Sequence, residues 1–183
     1  MEYVESLQGQ LLVAAPSLLD PNFHRTVVLI AEHNEEGAMG VVLNRESEIE
    51  VADAAPALAD LVDPGDLVHS GGPVQPTAVM IMAEFDDPER AATIVLDRIG
   101  FVSADADFDE LEADLARVRI FAGLAGWGPG QLESELERED WIVEPARPED
   151  VFAPAEGLWS RVLERKGGQY ALVARMPVDP SLN

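Results

Sequence analysis

The chain has 183 residues, with 35 Asp and Glu against 12 Lys and Arg, a formal net charge of -23 and no cysteine. So acidic a chain repels phosphate backbones and anionic lipid, and without thiols it forms no disulfide, zinc–thiolate site, iron–sulfur cluster or thiol nucleophile. At this length one domain, residues 1–183, is expected, large enough to bury roughly two-thirds of its unfolded surface.

Gly9–Ala15 is a short apolar run stopped by Pro16 and predicts a buried strand. Asp20-Pro21-Asn22-Phe23 is turn chemistry, because proline presets φ and Asp and Asn bond their own backbone. Arg25–His33, rich in β-branched residues, predicts a central strand, Asn34–Gly37 a turn, and Ala38–Asn44 the hairpin partner. Val51–Val62 predicts a short helix with Asp53 as N-cap and Pro56 in its first turn. Asp66–Ser70 is a brief strand, Gly71-Gly72-Pro73-Val74 breaks the regular pattern, and Thr77–Ala83 is another buried strand. Thr93–Val102 holds two strand-like runs about Asp97-Arg98. Asp107–Leu115 predicts an amphipathic helix with Phe108, Leu111 and Leu115 inward. Arg117–Gly123 alternates with period two and predicts a strand, followed by a helix over Pro129–Glu139 with Leu132 and Leu136 inward and its glutamates outward or around the flanks. Trp141–Glu144 is a strand, and Glu156–Lys166 a helix ended by Gly167-Gly168. Tyr170–Ala174 predicts the last strand. The fold class expected is α+β: about eight strands in a mixed, mostly antiparallel sheet, with about four short flanking helices.

The charge is uneven. Residues 101–150 hold 14 acids against 4 bases, whereas 151–183 hold 3 against 4. A solvated surface accounts for the excess; an acidic docking face and adaptation to high salt are the alternatives. No apolar run approaches the roughly 20 residues of a membrane helix, and the start Met1-Glu2-Tyr3-Val4-Glu5 lacks the basic residues of a secretory signal. The expected location is the cytoplasm.

His24, His33 and His69 stand 9 and 36 residues apart, which is not metal-ligand spacing, so no metal and no cofactor is expected. Ser70-Gly71-Gly72-Pro73 is either an anion-binding nest or a bend where backbones pass closely. Gly123–Glu133 packs four glycines and a proline between a strand and a helix. Its free N–H groups can hold an anion at the helix start, with Gln131 or Glu133 facing a cleft. Alternatively the small residues let the turn pack tightly, Trp127 fills core volume, and Gln131 or Glu133 caps the helix. Neither a G-x-S-x-G nucleophile motif nor a phosphate loop is present. Paired carboxylates say nothing in so acidic a chain.

Taken together, several segments carry a resemblance. They are Gly9-Gln10-Leu11-Leu12-Val13-Ala14, Leu19-Asp20-Pro21-Asn22-Phe23-His24-Arg25-Thr26, Leu43-Asn44-Arg45, Gly71-Gly72-Pro73-Val74 and Ala125-Gly126-Trp127-Gly128-Pro129-Gly130-Gln131-Leu132-Glu133. Over essentially its whole length the chain resembles the bacterial YqgE/AlgH family. Residues 46–68 and 84–118 match only loosely, with Glu46 where many members have Pro and Leu124 where many have Tyr. The resemblance implies an α+β fold whose bifurcated, strongly bent sheet forms a pseudo-barrel. It implies no established activity: some members carry a transcriptional-regulator label, and the gene often neighbours a Holliday-junction-resolvase-like gene. No helix-turn-helix or basic recognition helix is visible here.

Three functions follow as expectations. The first is a non-enzymatic binding or regulatory module whose partner is a protein or a small molecule, with no membrane contact. The second is a small-ligand or anion-binding protein, or an unrecognised hydrolase. Its pocket would gather Asn22, His24, Arg25, Thr26, Asn44, Gly71, Gly72, Trp127 and Gln131, which must then converge within about 10 Å to reach one ligand. The third, direct transcriptional regulation, is disfavoured by the net charge of -23, and no direct nucleic-acid contact is expected.

Overall fold

A computed structural model describes residues 5–178. Ten strands make one mixed, mostly antiparallel sheet. They are β1 (Gln10–Ala14), β2 (Val27–Asn34), β3 (Gly37–Val42), β4 (Glu46–Glu50), β5 (Leu67–Ser70), β6 (Val74–Phe85), β7 (Thr93–Leu96), β8 (Ile99–Phe101), β9 (Leu115–Trp127) and β10 (Trp141–Pro145). The main path runs β10-β1-β2-β3-β9-β6-β8-β7. β4 pairs with β5, and β5 joins β9 in parallel through His69 opposite Phe121. The sheet bends back on itself without closing: Gln8 Nε2 donates to Ile94 O at 3.4 Å, which brings the start of β1 to the far edge strand β7.

β1 and β2 bury both faces, which explains their unbroken apolar runs. Leu11, Val13, Val27 and Leu29 face one cluster, with Trp159, Val162 and Leu163 of the helix α5 (Leu158–Lys166). The alternating Leu12, Ala14, Val28 and Ile30 face the other, with Trp127, Trp141 and Leu132. Each fully buried Leu or Ile contributes roughly 1.5–3 kcal/mol. A third cluster around Phe85, Ile81 and Ile120 fills the opposite end of the sheet.

The sheet forks at Gly71. Its N–H donates to Ala122 O of β9 at 2.8 Å, and its carbonyl accepts from Val42 N of β3 at 2.9 Å. One residue thus bridges two strands where they part. A Cβ on Gly71 would lie 2.3 Å from Gly123 O, and one on Gly72 (φ +149°) 2.2 Å from the Leu124 backbone. Only glycine allows three backbones to pass so closely.

Several segments differ from the sequence-based expectation. Tyr170–Ala174 is no strand: Gln169–Val173 forms a helix, α6, in which Ala174 N donates to Tyr170 O at 2.9 Å. An apolar run of five does not separate strand from helix by pattern alone. Val51–Val62 is split into one helical turn, α1 (Val51–Ala54), and a 3₁₀ segment, Pro56–Leu61. Pro56 lacks an N–H and biases Ala55 away from the helical region; the N-cap is Glu50, not Asp53. The helix expected over Asp107–Leu115 is α2 (Phe108–Leu111) and a 3₁₀ turn to Asp114, because Leu115 already belongs to β9. β9 itself continues through the glycines to Trp127, leaving α3 as Gln131–Glu137. β4 is exposed along most of its length and carries no hydrophobic alternation to reveal it. The helix α4 (Pro148–Phe152) is too short to show a period.

Candidate functional site

The Asp20–Thr26 loop is held by bonds within itself and by bonds to the residues around it. Asp20 Oδ1 accepts from Asn22 N at 2.9 Å, and Asp20 O from His24 N at 2.7 Å. Thr26, fully buried, donates to Phe23 O at 2.8 Å. The Asn44 amide extends the β2–β3 ladder: Oδ1 accepts from Val27 N and Nδ2 donates to Arg25 O, both at 2.9 Å. Arg45 braces the loop from outside through Pro21 O at 2.7 Å. Arg25, at φ +57°, lays its guanidinium 4.1 Å from the centroid of the Trp159 ring and donates to Met176 O. The His24 ring contacts Leu18 O at 3.2 Å.

Phe23 links this loop to the tryptophans, with ring centroids 6.2 Å from Trp127 and 5.6 Å from Trp141. Both indoles donate to one oxygen, Glu135 Oε1, at 3.2 and 3.1 Å. Gln131 Oε1 accepts from Gly128 N at 3.0 Å. Glu133 turns inward to His33 Nε2 at 2.7 Å. Leu7 N donates to His33 Nδ1, so Nε2 carries the proton. Burial works against the Glu133 carboxylate, but the hydrogen bonds from His33 and from its own backbone N–H hold it below the usual range. Glu133 and Glu135 thus lie half-buried on the flanks of α3 and accept from donors on neighbouring elements, Glu133 in the inward direction weighed for it, while Glu137 and Glu139 are exposed.

Two cavities stand out among the described residues: none of the nine expected site residues lines the larger, and Trp127 alone lines the smaller, of about 200 Å³, beside Glu32, Asn34 and Met39. The larger cavity, about 480 Å³, lies where β4, β5 and β9 meet the 3₁₀ segment and Phe152. That is within the range of small-molecule sites. His69 sits in its wall, 3% exposed. Its Nδ1 contacts Leu67 O at 3.3 Å, and a carbonyl only accepts, so Nδ1 carries the proton of the neutral ring. That leaves Nε2 as a bare lone pair, buried and without a hydrogen-bond partner among the described residues. Glu46 Oε2 stands 3.9 Å away, too far for a hydrogen bond. Burial first, then the Arg119 charge, push the His69 pKa down, against the Leu67 bond and the charges of Glu46 and Asp66.

The two bases in this wall are already committed. Arg119 donates to the carbonyls of Val151 (3.0 Å), Phe152 (3.1 Å) and Ala153 (2.7 Å), tying the end of α4 to β9. Arg117 pairs with Glu84 at 2.7 Å and lies 4.6 Å over the Phe152 ring. Among the described residues no three His, Asp or Glu side chains come together to hold a metal ion, and no helix is long and apolar enough to cross a membrane.

The family model described as AlgH-like (DUF179) matches residues 11–171. The chain belongs to the AlgH-like family. It is 45% identical to a UPF0301 protein of Streptomyces avermitilis over 190 residues, covering 100% of this chain and 98% of that one. A UPF0301 protein of Streptomyces coelicolor is 46% identical with the same coverage. Among solved structures, the crystal structure of protein DIP2367 from Corynebacterium diphtheriae matches with a TM-score of 0.86 and 35% identity over 95% of this chain and 94% of that one. The solution structure of AlgH from Pseudomonas aeruginosa matches with a TM-score of 0.72 and 28% identity over 97% and 98%. In this AlgH-like chain the recognisable motifs build the loop and the fork, and the cavity lies in residues 46–69 and 112–120, largely within the stretches where the sequence resemblance is loose. His69 stood out only as an isolated histidine. Its place in the cavity wall comes from a parallel β5–β9 pairing that no local pattern announces.

Proposed function

We propose that this protein is a non-enzymatic binding module that takes a small ligand into the cavity beside His69. One observation carries the reading: a neutral imidazole with its acceptor nitrogen buried and unpartnered in the wall of a 480 Å³ cavity. A buried polar atom left unpaired costs about 1–3 kcal/mol, and a donor supplied by a ligand recovers that cost. The net charge of -23 supports a role away from nucleic acid.

The test is protein-observed NMR with a panel of small amines, amides, alcohols and carboxylates. Nitrogen-15 shifts of the imidazole distinguish a bare Nε2 from a hydrogen-bonded one. We expect at least one class to move the His69 Nε2 signal together with the amides of Glu46 and Arg119. If every class leaves that signal in place, the reading falls.

A further inference from the structure

Resting on that reading, we propose that the ligand presents a cationic nitrogen with two or more N–H bonds, a primary ammonium or a guanidinium, to His69 Nε2 and Glu46. Two features of the cavity define this class. The first is the spacing of its two acceptors. Nε2 and Glu46 Oε2 are 3.9 Å apart. Once the half-exposed Glu46 side chain turns aside to uncover Nε2, a single nitrogen at about 2.9 Å from both atoms can bond each through a separate hydrogen. A hydroxyl has one hydrogen and satisfies only one of the two.

The second is charge. Glu46, Asp60, Asp63, Asp66 and Glu112 line the cavity against Arg117 and Arg119. Glu84 neutralises Arg117, whereas Arg119, held in place by three carbonyls, keeps its charge and interacts with Asp66 and Glu46. Asp60, Asp63, Asp66 and Glu112 form no ion pair among the described residues. With five carboxylates against two guanidiniums, one of them already paired with Glu84, the lining as a whole keeps a negative excess that favours a cation over an anion. Phe152, already under the Arg117 guanidinium, and the apolar Val51 and Ile120 shape the remainder for a short alkyl stem.

Three probes of similar size separate the possibilities: methylguanidinium, its neutral analogue N-methylurea, and inorganic phosphate, each titrated into the full chain and followed by amide and imidazole NMR shifts. We expect saturable shifts at His69 and Glu46 with methylguanidinium, binding about tenfold weaker for N-methylurea, and none for phosphate. Glu46→Gln, which keeps the shape of a half-exposed side chain and removes its charge, should weaken methylguanidinium about tenfold and bring it to the level of the urea. His69→Phe should remove the cavity shifts, with the indole signals of the three tryptophans reporting an intact fold.

Equal affinity for the urea overturns the cationic class. So does tighter binding of phosphate, unchanged affinity in Glu46→Gln, or shifts that spread over the acidic surface and survive His69→Phe. If N-methylurea or phosphate binds in a His69-dependent way, the cavity is a ligand site and only the class is refuted. If none of the three probes binds there, the class falls, and the broader panel decides the cavity itself.

Discussion

Gly71→Ala is the sharpest test of the forked sheet. The new methyl would sit 2.3 Å from Gly123 O and 3.2 Å from Val41 Cγ1. The first contact is with backbone, which cannot swing aside as a flexible side chain does. Relieving it means moving Gly71 away from β9 and stretching two hydrogen bonds, to Ala122 O at 2.8 Å and from Val42 N at 2.9 Å. Overpacking costs about 1–3 kcal/mol, and each weakened buried bond adds about 1 kcal/mol, giving about 3–5 kcal/mol in all. For a chain of this size that lowers Tm by about 6–20 °C. Gly65→Ala is the control: its φ is +86°, but a Cβ there meets nothing within 4 Å, so only backbone strain of about 1–2 kcal/mol remains. Urea unfolding of both variants measures the difference. If Gly71→Ala unfolds within about 1 kcal/mol of the parent, the fork does not depend on close backbone approach and the reasoning fails.

Other outcomes follow from the same contacts. Asp150→Ala removes a 5%-exposed carboxylate that accepts from Arg165 at 2.8 and 2.9 Å and from Arg147 N at 2.8 Å; breaking so buried a pair should cost about 3–5 kcal/mol in chemical denaturation. Asn44→Ala leaves Val27 N and Arg25 O unpaired and should cost about 2 kcal/mol, with faster hydrogen exchange at Val27. Because the Glu133 pKa is depressed in the folded chain, its contribution is present above the unfolded carboxylate pKa and is lost as pH falls through the folded value. Glu133→Gln should therefore flatten part of the acid limb of a stability–pH curve, and a curve unchanged in shape refutes the pairing with His33. The folded His69 pKa is lowered, so the unfolded chain takes up protons first as pH falls below about 6.5 and stability declines there; His69→Phe should remove that portion of the decline.

The sheet was legible wherever strands bury alternate residues on two faces. Leu11–Ala14 and Val27–Ile30 are apolar at every position because both neighbours are core, and the β2–β3 hairpin declared itself through Asn34–Gly37. What stayed hidden depends on partners remote in sequence. β4 is exposed and acidic, and only its pairing with β5 makes it a strand. The direction of Glu133 and Glu135 is set by a histidine and two indoles on other elements, so their spacing along α3 left open whether they face outward, along the flanks or, for Glu133, into a cleft.

The same distinction separates the motifs from the cavity. Asp20–Thr26, Asn44 and Gly71-Gly72 are specific in sequence because each solves a backbone problem: a braced loop, a ladder extended by an amide, a three-way approach. A structural demand of that kind restricts residue types, so polar residues and glycines that look like a binding constellation have a structural reason to be there as well. Recognition asks less of local sequence. On the proposed reading, the cavity needs one acceptor left unpaired at His69 and an acidic wall drawn from Glu46, Asp66 and Glu112. Acids at that density are common throughout this chain, so the wall was invisible against a net charge of -23. The charge is a poor guide to function where it is spread over solvent and an informative one where bare carboxylates meet a buried lone pair.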